Sequence, residues 1–556
     1  MDDRAPRWGI LPSYHSYRGD LVETRPETAA AILAAMGADR DQPPRARRHK
    51  VPPGRCFPAP PRAWGWAIQL YAARSKDSWG IGDLADLSRL ASWAKREGAS
   101  VLLVSPLGAQ PPAHPQEACP YYASSRRFMN PNYLRIEDVE GAASVAADLA
   151  PLRAAAQALN AQRLIDHDEV FRLKSAALEL IFRAVPDPPG MSGWVHQQGH
   201  ALRDFATFNA ITEIHGRAWR DWPGGLGHPG GAALDRARRE LSDRVAFHQW
   251  LQFHLDRQLG RAAGKIGLIT DVPVGFASDG FDAWRWQDLL APHMRVGAPP
   301  DFFFPDGQDW GVPPFDPWKL RAAKYRPFVE TVRGVARHAA GLRLDHVMGL
   351  FRLFWIPSHA GAAEGAYVRY PGTELLAILA EISRQTRTFI VGEDLGIVEP
   401  SMRTRLRRRG ALTYRLLWFE EAPPREWPKE GVAAIGTHDL PTVAGIWNLS
   451  EPDQRQHHLR RHLVEATHLP DGTPPVDVAV AAYAALADAP SCIALASLED
   501  ALGVEERPNV PGTTSEWPNW RLALPIPLED IEGSDGARRI ASVMNAAGRS
   551  RRTIAL

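Results

Sequence analysis

From Trp64 onward the chain alternates short runs rich in Val, Ile and Leu with stretches in which apolar residues recur every three or four positions. Eight of the short runs read as strands: WAIQL (66–70), SVLLVSP (100–106), IGLITD (266–271), GLRLD (341–345), TFIVGE (388–393), TYRLLWF (413–419), VAAIG (432–436) and SCIALAS (491–497). Helical periodicity fills the spaces between them, as in LADLSRLASWAKREG (84–98) and YRPFVETVRGVARHAAG (325–341). Strands apolar on both faces that alternate with helices imply parallel βαβ units, and eight such units imply a closed (β/α)8 TIM barrel. The pattern places that barrel over residues 64–530, with 531–556 as a C-terminal helix packed on it.

Two intervals exceed a single crossover. Residues 107–265 predict an inserted, largely helical subdomain. Residues 272–322 form a second insertion, with Pro, Gly and aromatics dense in VGAPPDFFFPDGQDWGVPPFDP. Such a loop after a barrel strand belongs at the C-terminal mouth, where barrel active sites form. Ahead of the barrel, ETAAAILAAMG predicts a short helix ending at Gly37. Residues 41–63 then read as a Pro- and Arg-rich linker, in which Arg45, Arg47, Arg48 and Lys50 are a solvated run.

Composition narrows the class. Hydrophobic residues are 45% of the chain, enough for a large core, and 65 basic against 64 acidic residues leave a net charge of +1. That balance argues against a polyanion-coating role, so no nucleic-acid partner is expected. Three cysteines, Cys56, Cys119 and Cys492, fit a reducing compartment without a disulfide framework. The N-terminus has no basic stretch leading into an apolar core, and no apolar run is long enough to span a bilayer. A cytoplasmic protein with no membrane partner is the expectation. Most of the 19 tryptophans are expected in the core, with a minority available as platforms for sugar rings.

The candidate chemistry lies where strands end. Asp271, Asp345 and Glu393 end the third, fourth and fifth strands, and Asp439 follows the seventh. One such acid is ordinarily a helix cap or a loop ion pair; four at successive mouths call for another account. In GLRLDH, Arg343 and Asp345 project to the same side, because side chains alternate along a strand. A guanidinium there would keep Asp345 ionised, as a nucleophile requires, although a purely structural pair has the same pattern. Glu393 leaves an apolar strand through Gly392, and an acid in a partly dry site has a raised pKa and can donate a proton. The adjacent Asp394 is an alternative acid, but reads better as a cap of the next helix. His438 offers hydrogen bonds to sugar hydroxyls and Asp439 a charge for a cationic anomeric carbon; a plain turn before Pro441 is the competing reading. Three carboxylates at one mouth suit glycosidic bond chemistry by double displacement.

These residues lie in segments that together resemble one family. IQLYAARSKDSWGIGDL, CPYYASSRRFMNPNYL, DVPVGFASDGFDAW, GAPPDFFFPDGQDWG, LRLDHVMGLFRLFWIP, VGEDLG, GTHDLPT and NVPGTTSEWPNWR are similar to the amylomaltases, the 4-α-glucanotransferases of glycoside hydrolase family 77, from about Trp64 to Leu524. The resemblance implies Asp345 as nucleophile, Glu393 as acid/base and Asp439 as transition-state stabiliser. It implies that Arg343, His346, His438 and Asp271 bind sugar and orient the acids, and that Tyr121, Gln308, Trp310 and Asn509 contact glucan. The partners it implies are α-1,4-glucans, maltooligosaccharides and glucose as acceptor, with no cofactor. The family's usual SPY reads Cys119-Pro120-Tyr121 here, which sets a thiol near the acceptor side. The HVMGLFRLFWIP and SSRRF forms resemble the longer bacterial branch, whose extra β-rich N-terminal region has only residues 1–63 in its place here.

Other signals carry less. HQQGH (His196, His200) lacks the glutamate of a zinc protease motif, and His458 and His462 repeat the spacing in a polar helix, so no metal is expected. WGIGD lacks the third glycine of a dinucleotide fingerprint. RTRLRRRG (403–410) reads as an exposed helix face. Three functions compete for such a chain: a glucanotransferase, an α-amylase-like retaining hydrolase with water as acceptor, and a glucan-binding protein without catalysis. The last requires a missing catalytic carboxylate, and none is missing. Shielding of the intermediate from water by the 296–316 loop, through Phe302, Phe303, Phe304 and Trp310, would favour transfer over hydrolysis.

Overall fold

The computed structural model describes residues 2–39, 42–44, 53–396 and 398–549. The basic run Arg45–Lys50 lies outside the described residues. Eight parallel strands close into a barrel in the order of the chain: β1 (Ala63–Ile68), β2 (Val101–Val104), β3 (Gly267–Val272), β4 (Gly341–Leu344), β5 (Phe389–Gly392), β6 (Leu412–Leu416), β7 (Gly431–Ala434) and β8 (Ile493–Ser497), which pairs back to β1. Each matches one of the eight apolar runs, shifted by a few residues at the ends. The strands are almost wholly buried, since helices cover the outside and side chains fill the inside, which is why they read as continuous apolar runs.

Register across β3, β4 and β5 decides which side chains meet at the mouth. Arg343 on β4 faces Asp271 on β3 and Val391 on β5, and Leu344 faces Gly392. One step further, Asp345 and Glu393 leave adjacent strands side by side, with Glu393 N–H donating to Leu344 O at 3.0 Å and Val347 N–H to Glu393 O at 2.9 Å. Gly392 permits this approach: a Cβ there would lie 2.9 Å from the Val347 side chain.

The first long insertion is helical: Ala146–Ala158, His167–Ala184, Met191–His215, Ala232–Glu240 and Ser242–Ala263. The last of these packs against Leu84–Arg96 and so also serves as the helix before β3. Leu84–Arg96 begins at a capping box of Asp83 and Asp86, whose carboxylates hold the buried Arg135 at 2.6 and 2.8 Å.

The second insertion departs from the loop expected. Met294–Ala298 and Gln308–Val312 join Arg352–Pro357 and Ala366–Arg369, from beyond β4, in a four-stranded antiparallel sheet over the mouth. Its central pairing joins positions some distance apart in the chain, which local periodicity does not report. The N-terminal segment packs on this sheet: Trp8, Ile10, Ile32, Leu33 and Met36 share a core with Met294, Val296, Leu353, Trp355 and Val368. The predicted short helix is Pro26–Ala35, and a small hairpin, Ser13–His15 with Leu21–Glu23, precedes it. At the other end, Asp535–Met544 packs on Pro475–Ala487, and Asn545 accepts the Trp64 indole N–H at 3.0 Å.

Candidate active site

The site is built on the register of these three strands. Arg343, 4% exposed, directs Nη1 to both Asp271 oxygens at 2.7 and 2.6 Å and to Asp345 Oδ1 at 3.2 Å. The guanidinium is thus committed mainly to Asp271. Asp345 holds one longer contact and keeps 22% of its side chain exposed at the cleft. Burial therefore dominates: it pushes the Asp345 carboxyl up to about 6, although Arg343 pulls the other way. Arg343 lies on the side of Asp345, as alternation along the strand implies, but its main partner is Asp271. The ion pair is shared, and the acid is ionised near neutrality without being fully neutralised.

Glu393 sits deeper, at 8% exposure. Its Oε2 accepts the His346 N–H at 2.8 Å and its Oε1 the Leu395 N–H at 2.6 Å. Burial raises it to about 7, with Arg343 opposing and the charge of Asp345 adding to the rise. His346 reaches this geometry at φ +44°, a left-handed conformation that a side chain takes only at some cost and that aims its N–H at the acid. Its ring is held down at about 4, chiefly by burial and then by Arg352, so it is neutral. The Trp310 ring meets it edge-on with centroids 5.1 Å apart, and Gln308 Oε1 accepts the Trp310 indole N–H at 3.2 Å.

Across the cleft, Asn509 Nδ2 donates to Asp439 Oδ1 at 2.7 Å, and His438 Nε2 lies 3.4 Å from Asp439 Oδ2. Burial pushes Asp439 up, but the His438 charge and the hydrogen bonds from His438 and Asn509 outweigh it and hold the acid below its ordinary value. Burial works against the His438 cation, while Asp439 more than compensates and raises the ring. Tyr121 completes the floor: its hydroxyl donates to Asp271 Oδ2 at 2.6 Å, and its ring stacks on His438 at 4.8 Å. These contacts join Asp345, Arg343, Asp271, Tyr121, His438, Asp439 and Asn509 in one set, and Glu393, His346, Trp310 and Gln308 in a second set that leaves the adjacent strand ends.

Three further residues belong to the first set. Trp520 packs against both Tyr121 and His438, with centroids 5.3 and 5.2 Å apart. Arg507 donates to the Asp439 carbonyl at 3.2 Å, and the Arg343 guanidinium lies over the Tyr414 ring at 5.7 Å. Trp520 closes the NVPGTTSEWPNW segment quoted from the sequence, and Arg507 lies two residues ahead of it. Asp394 is a correction: it caps no helix. The N-cap position of the helix Pro400–Arg409 is Glu399, without a side-chain cap, whereas Asp394, fully buried, accepts from Tyr414 N–H at 2.7 Å and Arg403 Nε at 2.7 Å. It turns inward between β5 and β6 and ties the two strands and the helix together. A separate cavity of about 480 Å3 opens between the inserted helices and Arg333–Arg337; it includes Asp271 but none of Asp345, Glu393 and Asp439.

An eight-stranded parallel barrel with carboxylates at the ends of β4, β5 and β7 defines an enzyme of the glycosidic-bond class. Residues 68–528 match the 4-alpha-glucanotransferase family profile of glycoside hydrolase family 77. The 4-alpha-glucanotransferase of Mycobacterium tuberculosis is 38% identical over 550 residues, which cover 87% of this chain and 75% of that protein. The 4-alpha-glucanotransferase of Haemophilus influenzae is 30% identical, covering 86% and 77%. The amylomaltase from Corynebacterium glutamicum superposes with a TM-score of 0.84 at 26% identity, over 98% of this chain and 99% of that one. The chain belongs to glycoside hydrolase family 77, the 4-alpha-glucanotransferases, which transfer glucan segments between oligosaccharides.

Proposed function

We propose that the chain cleaves and re-forms α-1,4-glucan bonds by retaining double displacement, with Asp345 as nucleophile, Glu393 as acid/base and Asp439 as the stabilising charge. The observation that carries this reading is the pair at the ends of β4 and β5. Burial lifts both acids, Glu393 to about 7 and Asp345 to about 6, so near neutrality one carries a proton and the other a charge. Asp345 attacks the anomeric carbon of the donor while Glu393 protonates the departing glycosidic oxygen. The product is a glucan ester on Asp345 and a shortened chain. Glu393, now a base, takes the proton of an acceptor 4-hydroxyl, which displaces Asp345. Asp439, held ionised by His438 and Asn509, faces the positive charge that develops at the anomeric carbon. Arg343, Asp271, Tyr121 and His438 form the polar floor that orients the sugar, and Gln308, Trp310 and His346 form the rim.

The acceptor is read as a maltooligosaccharide or glucose. The aromatic 301–304 loop, with Phe303 packed on Phe419 and tied through its carbonyl to Arg455 at 2.6 Å, keeps water from the ester. None of the helices among the described residues is long and apolar enough to cross a membrane. With the three free thiols, this fits a cytoplasmic site of action. Incubation with maltotriose, followed by chromatography and a glucose-specific assay, tests the reading. Longer maltooligosaccharides plus glucose at constant reducing ends are expected; rising reducing ends without longer products would mean a hydrolase.

A further inference from the structure

The helix Gln454–Thr467 carries His458 and His462 one turn apart, and the fold brings a third group to them from elsewhere in the chain. Glu421, in the loop after β6, places Oε1 4.0 Å from His462 Nε2. The two Nε2 atoms are 3.3 Å apart, and one ligand atom from each of the three residues lies within 4.8 Å of the others. Two imidazole nitrogens bound tetrahedrally at about 2.0–2.1 Å stand roughly 3.3 Å apart. The histidines therefore already span one edge of a metal tetrahedron, at a distance long for a hydrogen bond. His462, 3% exposed, is held below its ordinary pKa by burial and then by His458, which favours the neutral ring that ligates.

The surrounding charges permit occupancy. Arg461 Nη2 lies 3.1 Å from His458 Nδ1 and 3.9 Å from Glu421 Oε1. Ligation through Nε2 puts the His458 proton on Nδ1, so Arg461 must give up that contact. Glu465, already 3.7 Å from Arg461 Nε, is its alternative partner. We infer that Glu421, His458 and His462 form a binding site for zinc or a borderline-soft divalent ion like it, with three protein ligands and an open fourth position. An ion there ties the loop after β6 to the helix Gln454–Thr467. Those are the elements on which the 301–304 loop rests, since Phe302 meets His458 and Phe303 meets Phe419.

The test is calorimetric titration of the chelator-stripped full chain with zinc chloride, repeated with cobalt(II) to read its visible spectrum. One ion per chain, tetrahedral cobalt bands and a zinc-dependent rise in Tm are expected. His458→Ala should abolish all three, and Glu421→Gln should weaken affinity by more than about 100-fold, beyond the roughly 10–100-fold loss that an outer-shell partner alone would give. Both positions are solvent-accessible, so the variants keep the fold, and an unchanged Tm without metal checks it. Absence of saturable binding, or binding that survives in His458→Ala and is therefore seated on the cysteines or elsewhere, overturns the proposal.

Discussion

The floor and the rim of the cleft are built by different means. The floor hangs on barrel strands: Asp271, Arg343, Asp345 and Glu393 follow from the pairing register of β3, β4 and β5, and Arg343 binds Asp271 and Asp345 through charge-assisted bonds of 2.6–3.2 Å. The rim is made of segments distant in the chain, held by ring contacts and single hydrogen bonds, such as Trp310 on His346, Phe303 on Phe419, and Asn509 on Asp439. The difference separates two tasks. On the proposed mechanism, a preorganised floor would set the chemistry, and the rim would choose which acceptor reaches the intermediate.

The largest effect should come from the floor. Asp345→Asn is expected to lower kcat on the order of 10^4-fold while glucan binding and Tm persist, because Arg343 keeps its main partner Asp271. Retained turnover would remove the floor from the chemistry. Next, kcat/KM should rise with pH as Asp345 ionises at about 6 and fall as Glu393 loses its proton at about 7. In Glu393→Gln with a donor whose leaving group needs no protonation, such as a glycosyl fluoride, the alkaline limb should vanish. A limb that stays where it was assigns the acid to another group.

Asn509→Ala changes the rim contact nearest the chemistry. It removes one donor from Asp439, so kcat should fall about 10-fold, as expected for a hydrogen bond to a charged group. A change confined to KM would make Asn509 a sugar contact alone. The smallest effect on total turnover belongs to the rim. Shortening the 301–304 loop should leave the rate of donor cleavage nearly unchanged and raise hydrolysis several-fold relative to transfer. An unchanged ratio would show that this loop does not select the acceptor.

The same division explains what could be read from the sequence. Barrel strands are short, apolar on both faces and regularly spaced, so all eight were legible, as were Asp345 and Glu393 at their ends. Arg343 could be set on the side of Asp345 by alternation alone. Its preference for Asp271 needed the register between strands, which no local pattern carries. Asp394 was misread for the same reason: its partners, Tyr414 and Arg403, come from the next strand and helix. The sheet over the mouth pairs segments far apart in the chain. Trp520 and Arg507 act through contacts with residues much earlier in the sequence. Likewise Glu421 was one acidic residue among many until the fold set it beside His462.

The N-terminal segment has a role that reaches beyond catalysis. Gly9 to Leu11 run along Tyr367–Arg369: Arg369 N–H donates to Gly9 O at 2.8 Å, Leu11 N–H to Tyr367 O at 2.9 Å, and Ile10 bridges Val368. Ala366–Arg369 would otherwise be an outer strand with open backbone donors and acceptors, a template for pairing with another molecule. A chain beginning after residue 12 should therefore keep its barrel and its carboxylates, yet self-associate through that strand as concentration rises. The first dozen residues thus occupy the edge through which such pairing would run.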